Sequence, residues 1–170
     1  MKILVTVLQT LYSIIRKDRL LNMAQVFLDR VAATAHVESI AIKEEVKPGQ
    51  FFKLGVLDAD GERRLVEKAT GNADANVFLA PEVISYGDPH FDVANVTLKD
   101  GDTGRAYHKD EGTIISVTAD LAKGVSVGDH VDVGDAGLGF KKASSGNGVG
   151  LVIGKENHGV DGEVFVIAFD

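Results

Sequence analysis

The stretch Gly124-Val-Ser-Val-Gly-Asp-His-Val-Asp-Val-Gly134 decides how the rest of the chain is interpreted. Four valines alternate with polar residues and glycines, and Gly128-Asp129 supplies a turn between them. Valine favours the pleated backbone of a strand, whereas glycine and aspartate favour tight turns. The pattern therefore predicts very short strands joined by tight turns.

Glycines are concentrated around this stretch. Residues 111–170 hold twelve of the 19 glycines of the chain, and they lie between runs of β-branched residues. Two of these runs, 151–153 and 164–169, are continuously apolar, as is typical of buried strands. We therefore predict a mainly β protein whose core, at 111–170, is a small Gly-punctuated β-barrel of the β-tulip kind.

The preceding segment contains further strand and turn signals. Short apolar runs are separated by Pro48-Gly49 and by Asp58-Ala-Asp-Gly61, which are turn sequences. The stretch 70–104 is less regular and is interpreted as loops around one strand. The strands predicted across the chain are 37–46 (an edge strand), 51–57, 64–69, 95–98, 113–118, 125–127, 130–133, 140–141, 149–153 and 163–169. The predicted organisation is an extension and arm at 1–36 followed by a β-rich body at 37–170.

Composition excludes several classes of function. The chain has no cysteine, which excludes disulfides, thiolate catalysis and cysteine-ligated metal. Its net charge is −7, and residues 1–22 carry a local charge of +3, so the remainder carries about −10. An acidic body argues against nucleic-acid binding, which needs a basic face. We expect neither a nucleic-acid nor a membrane partner.

The first 36 residues allow several interpretations. The apolar run at 3–15 ends in Arg16-Lys17-Asp18-Arg19 without a small-residue cleavage site, and it is too short to span a bilayer. A docking arm or an upstream extension of the reading frame, with Met23 as the natural start, suits it better than a signal peptide. From Met23 to Ala35 apolar residues recur at helical spacing, which predicts a short helix or a docking arm.

No constellation of residues predicts catalysis. His90-Phe-Asp92 could chelate a metal on a strand, but it follows a Gly-Asp-Pro turn and is better interpreted as a loop cap. The sequence from Asp58 begins like a calcium loop but has Ala69 where the glutamate is required. The glycine-rich 146–150 precedes a strand instead of opening a helix, so it is a hairpin tip. We expect no catalytic residues, no cofactor and no metal site.

The pattern of the whole body resembles a known family. Val46-Lys-Pro-Gly-Gln-Phe-Phe-Lys-Leu-Gly55, Gly112-Thr-Ile-Ile-Ser-Val-Thr-Ala119 and Val127-Gly-Asp-His-Val-Asp-Val-Gly134, followed by Gly139-Phe-Lys-Lys-Ala143 and Gly150-Leu-Val-Ile-Gly154, are similar to head decoration (cement) proteins of tailed bacteriophages. The resemblance covers roughly residues 23–170. Biotinyl and lipoyl carrier domains share the Gly-Asp turn, but this chain lacks their lysine beside a methionine.

The resemblance implies a mechanical function. Proteins of that family bind the outside of an expanded capsid, commonly as trimers, and brace it against internal pressure. It implies the major capsid protein and further copies of this chain, as a homotrimer, as partners. The location it implies is the outer surface of the virion, after synthesis in the host cytoplasm. The candidate partner-binding residues of the arm are Val26, Phe27, Leu28 and Val31, which equally well could cover the open end of the barrel.

Two further hypotheses remain open at this point. The body could be a β-barrel binding module or accessory domain of a hydrolase that acts on polysaccharide, using the loops at 70–104. Alternatively, His90, His108 and His130 could build a metal-dependent enzyme. The first predicts loss of an activity when His90 and Asp92 are substituted, and the second predicts stoichiometric metal in the purified protein.

Overall fold

The computed structural model describes residues 24–80, 96–159 and 162–170, and these are mainly β, as the sequence predicts. The strands are β1 (Val26–Arg30), β2 (Val37–Ala41), β3 (Phe51–Leu57), β4 (Arg64–Lys68), β5 (Val77–Leu79), β6 (Thr103–His108), β7 (Ile114–Thr118), β8 (His130–Val133), β9 (Phe140–Lys142), β10 (Gly150–Asn157) and β11 (Glu163–Phe169). Single 3₁₀ turns lie at Ala119–Leu121 and Asp135–Gly137. Among these residues, no helix has the length and apolar character needed to cross a membrane.

The strands form a closed barrel and an open sheet. The barrel runs β2-β4-β3-β5-β6 and closes where β6 pairs with β2. Only the β2–β4 pair in it is parallel. The six-stranded sheet has the order β1-β7-β11-β10-β8-β9, all antiparallel. Strand β1 forms one edge of this sheet. It is the first described strand of the chain, whereas the other five strands of the sheet come from the C-terminal half.

Side-chain alternation gives the barrel strands two apolar faces. In β3, Phe52 points into the barrel with Ile40 and Leu79, while the adjacent Phe51 points outward. In β5, Phe78 likewise points outward while its two neighbours point into the barrel, because successive side chains of a strand lie on opposite faces. Each of these strands therefore serves an inner barrel core and a second core outside it.

The second core joins the barrel to the sheet. The Phe51 ring packs edge-on against Phe140 at 5.3 Å between centroids and lies 6.5 Å from Phe169. Phe78 stacks on Phe169 at 5.5 Å. Tyr107 of β6 belongs to the same cluster. The two sheets thus share one continuous apolar core.

Two side-chain amides reinforce this junction. Gln50, which is buried, donates from Nε2 to the carbonyl of Ala136 at 2.8 Å. Asn72 donates to Asp132 Oδ1 at 2.7 Å and accepts from the N–H of Val133 at 2.8 Å. Both bridge the barrel to the β8–β9 region, so polar groups as well as rings fix the position of the barrel on the sheet.

The position of the barrel differs from the expectation. The barrel core was expected at 111–170, but those residues supply β7–β11 of the open sheet, and the closed barrel uses strands between Val37 and His108. Within it, β2 pairs on both sides and is not the expected edge strand. Strands β5 and β6 lie partly in the stretch expected to be loops. The decisive pairings join distant residues, which local patterns do not report.

Local predictions had mixed outcomes. The Asp58–Gly61 turn is confirmed, with the N–H of Asp58 bonded to the Arg63 carbonyl at 2.7 Å and Gly61 at a φ of 73°. No strand forms at 125–127, because Asp129 closes a turn by accepting from the N–H of Ser126 at 2.9 Å. Of the strand expected at 95–98, the described residues 96–98 make one isolated bridge, from Leu98 to Val46.

Candidate partner-binding edge and histidine cluster

The arm segment is an edge strand. The helical alternative for 23–35 is wrong over its described part, because Val26–Arg30 pairs antiparallel with β7, placing Val26 opposite Val117 and Leu28 opposite Ile115. Among the described residues, β7 is the one strand that β1 pairs with. The apolar residues whose spacing suggested a helix instead belong to an alternating strand and the turn that follows it.

The four candidate residues of the arm divide between two faces. Val26, Leu28 and Val31 are partly buried and pack on the shared core. Phe27 lies on the opposite face of the strand, and its ring meets the His158 ring edge-on at 5.0 Å. Three of the four therefore cover this chain's own core, and Phe27 is the one whose side chain is directed away from it.

The main chain of β1 presents hydrogen-bonding groups on its outer side. The carbonyl of Gln25 accepts from the N–H of Thr118 at 3.2 Å, which marks Gln25 as bonded toward β7. In an antiparallel ladder, residues bonded to the neighbour alternate with residues whose main-chain groups face away. The N–H and C=O groups of Val26 and Leu28 consequently point to the outer edge, where another strand can pair with them.

The outer edge is short. The register shifts between Leu28 and Arg30, so a β-bulge ends the regular ladder, and both Asp29 and Arg30 are exposed. Asp29 accepts a hydrogen bond from the Ser116 hydroxyl on the neighbouring strand. Bulges and charges at an edge oppose unselective strand pairing, so this edge suits a partner of matched length and charge.

The histidines proposed for a metal enzyme do not come together in the described part of the chain. His90 and Asp92 lie outside the described residues. His108 ends β6 of the barrel, whereas His130 begins β8 of the sheet and contacts the Asn147 carbonyl at 3.0 Å through Nδ1. The sequence-based hypothesis that His108 and His130 belong to one metal site is therefore wrong.

His108 instead meets residues that the sequence did not single out. Its ring stacks on that of His36, with centroids 4.6 Å apart and planes 15° apart. Glu38 Oε1 lies 3.5 Å from Nε2 of His36 and 3.4 Å from Nε2 of His108. Arg64 Nη1 is 3.5 Å from the same oxygen. These four residues are called the His36 cluster below.

A sequence signal for this cluster exists but needs the strand register. His36 and Glu38 are two residues apart, so a strand places both on one face. The β2–β6 register sets Val37 opposite Tyr107, which brings His36 next to His108. Without that pairing nothing links two histidines 72 positions apart.

The aspartates of the turns act as structural caps. Asp60 accepts from the N–H groups of Glu62 and Arg63 and from the Arg63 side chain, and these bonds lower its pKa to about 2. Bonds from Thr70 and Gly71 likewise lower the pKa of Asp74. Burial raises the pKa of Asp120, against the opposing effect of Lys123. The lowered groups hold loops as carboxylates and are unsuited to proton transfer near neutral pH.

Two depressions in the described surface are open grooves. One, of about 440 Å³, is lined by polar and apolar side chains next to the His36 cluster: Leu54, Arg64, Ala73, Ala75, Asn76, His108, Lys109 and Asp110. Another, of about 400 Å³, lies along the β3–β4 hairpin. Neither contains a nucleophile paired with a base.

Comparison with known proteins found one distant structural similarity. No protein-family model matches this sequence, and neither does any curated protein. The chain is similar to a solved structure described as the crystal structure of the N base of head fiber gp8.5 in bacteriophage phi29, with a TM-score of 0.46 and 11% sequence identity. The similarity covers 81% of this chain and 95% of that chain.

Proposed function

We propose that the protein is a non-enzymatic structural component of a phage virion that decorates and stabilises the outer surface of the capsid as a homo-oligomer. The observation that carries the proposal is the outer edge of β1, where main-chain groups and the Phe27 side chain face away from the chain's own core. The resemblance of the sequence pattern to phage head decoration proteins supplies the partner, the major capsid protein.

A strand edge is a suitable contact for such a protein. Pairing with a capsid strand adds main-chain hydrogen bonds, and an aromatic side chain beside them supplies an apolar anchor. The body behind β1 is held by the shared core, so little conformational entropy is lost on binding. Stiffness and an available strand edge at β1 together favour a bracing function.

A point substitution in β1 tests this contact better than deletion of the arm. Removing residues 1–36 would delete β1 and uncover the core beneath Val26, Leu28 and Val31, so lost binding would be ambiguous. Phe27→Ser instead removes the outward ring and leaves the three core-facing residues in place. Val56→Ser is a matched control, because Val56 is 73% exposed on β3 of the barrel, away from β1.

The assay is co-sedimentation with purified expanded capsids that lack this protein. The unsubstituted chain should saturate the capsid lattice, Phe27→Ser should weaken binding about tenfold or more, and Val56→Ser should bind like the unsubstituted chain. Thermal unfolding of each variant separates lost contact from lost folding. Normal binding by Phe27→Ser would place the contact elsewhere, and a chain that ignores capsids and stays monomeric by mass would refute the proposal.

A further inference from the structure

We propose that His36, Glu38 and His108 form a binding site for a divalent transition-metal ion of the zinc class. The proposal concerns the barrel and is independent of the partner bound at β1. Two imidazoles and one carboxylate are a donor set that proteins use for zinc, leaving a fourth position for water. The three donor atoms all lie within 4.8 Å of one another.

The distances suit a metal better than they suit direct hydrogen bonds. Glu38 Oε1 is 3.5 and 3.4 Å from the two Nε2 atoms, beyond the usual range of such bonds. Ligands bound tetrahedrally at 2.0–2.1 Å are separated by about 3.3–3.4 Å, since a tetrahedron's edge is about 1.6 times its centre-to-vertex distance. Two of the three donor separations thus match edges of a zinc tetrahedron. Because the two stacked rings direct their nitrogen lone pairs nearly parallel, the His36 side chain, which is 69% exposed, must rotate out of the stack to share an ion with His108.

The backbone holds the donors in register. Val37 pairs with Tyr107 and Glu38 with Ala106, and the N–H of His108 bonds to the His36 carbonyl at 3.4 Å. Glu38 is the most enclosed of the three ligands, with 13% of its side chain exposed. A largely enclosed carboxylate on a paired strand fixes one ligand, and the exposed imidazole above it keeps the site reachable from solvent.

Arg64 is compatible with a bound cation. Its Nε donates to the Gly55 carbonyl at 2.8 Å, which tethers the guanidinium on the barrel, and its Nη1 reaches Glu38 at 3.5 Å. A carboxylate has two oxygens and about four acceptor positions, so one carboxylate can contact a metal and an arginine together. The arginine also orients the Glu38 carboxylate before the ion arrives.

The position of the site indicates what it does. Its ligands come from both sides of the β2–β6 seam, the pairing that closes the barrel between segments about 70 residues apart. An ion that binds only the folded state stabilises it in proportion to its concentration. The metal would therefore stabilise the β2–β6 pairing that closes the barrel, and its function would be structural.

The test is calorimetric titration of tag-free, chelator-treated full-length protein with zinc chloride, repeated with cobalt for its tetrahedral absorption. We expect saturation at one equivalent and a rise in Tm of about 5–11 °C at free zinc a hundredfold above Kd. His36→Gln and His108→Gln should each weaken binding about tenfold or more. His130→Gln is the control, since among the described residues His130 lies beside one carboxylate, Asp170, at 3.7 Å.

The outcomes are separable from those of the capsid assay. His36 is exposed, so His36→Gln leaves folding intact and remains informative if His108→Gln destabilises the barrel. Absence of saturable binding, full affinity in His36→Gln, or an equal loss in His130→Gln would each overturn the proposal. Capsid binding by Phe27→Ser has no bearing on any of these results.

Discussion

Replacing Phe51 by alanine tests whether the barrel and the sheet unfold as one body. The ring is fully buried and contacts three others, Phe78 at 6.0 Å, Phe140 at 5.3 Å and Phe169 at 6.5 Å. A buried Phe→Ala change costs about 3–5 kcal/mol, and these aromatic contacts place Phe51 in the upper part of that range. At about 4 kcal/mol, Tm should fall by about 8–16 °C for a chain of this size.

The adjacent Phe52 is the matched control. It is equally large and 3% exposed, but it packs in the barrel's own core. If the shared core makes one cooperative unit, both variants lower a single transition in which the barrel and the sheet unfold together. Circular dichroism gives the transition, and hydrogen exchange followed by mass spectrometry reports the two parts separately.

A split transition would refute this reasoning. If the two parts unfold independently, Phe52→Ala should destabilise the barrel while the amides of β7, β10 and β11 stay as protected from hydrogen exchange as in the unsubstituted protein. In that case the contacts of Phe51 would join two separately stable bodies, and the predicted division into an arm and one body at 37–170 would fail. The two neighbouring residues distinguish these cases because they differ only in the face of β3 that they occupy.

Two further predictions concern the turns. Gly134→Ala should lower the free energy of unfolding in urea by about 3 kcal/mol or more, because a Cβ there would lie 2.0 Å from the Leu138 carbonyl oxygen. Gly128 has a φ of 89° but open space around it, so Gly128→Ala should cost only about 1–2 kcal/mol. Equal costs for the two variants would contradict this account. Asp60, whose pKa is lowered from 3.8 to about 2, stabilises the fold above pH 4, and that contribution is lost as the pH falls through about 2. The stability difference between the unsubstituted protein and Asp60→Asn should therefore shrink between pH 4 and 2, and an NMR titration of the Asp60 carboxyl that gives an ordinary pKa would contradict it.

The sequence predicts the elements whose signals are local. The strand at 51–57, the turn at Asp58–Gly61 and the terminal strand at 163–169 are found close to their expected limits. In each case alternating or continuous apolar residues stand beside glycine or aspartate, and the turn residues make the hydrogen bonds that define the turn. These features need no knowledge of distant residues.

The features that the sequence did not predict depend on distant pairing. Strand β5 has three residues, and β6 contains Gly104 and Arg105, so neither resembles a strand alone. A Cβ at Gly104 would lie about 3.0 Å from Ile40 and Leu79 inside the barrel, so glycine fits this tightly packed position. The helical spacing at 23–35 was overridden because β7 offers β1 a ladder and a core to cover. The His36 cluster was missed for the same reason, since only the β2–β6 register assembles it.

The architecture limits where this protein can interact. Strand β5 and the first two residues of β3 are packed on both faces, one toward the barrel core and the other toward the shared core. The two described features on which interactions are proposed are the outer side of β1 and the β2–β6 closure beside the His36 cluster. A load applied at β1 would pass through β7 to β11, and from Phe169 to Phe51 and into the barrel. Resistance to that load then depends on keeping the barrel closed, which is where a bound metal would act.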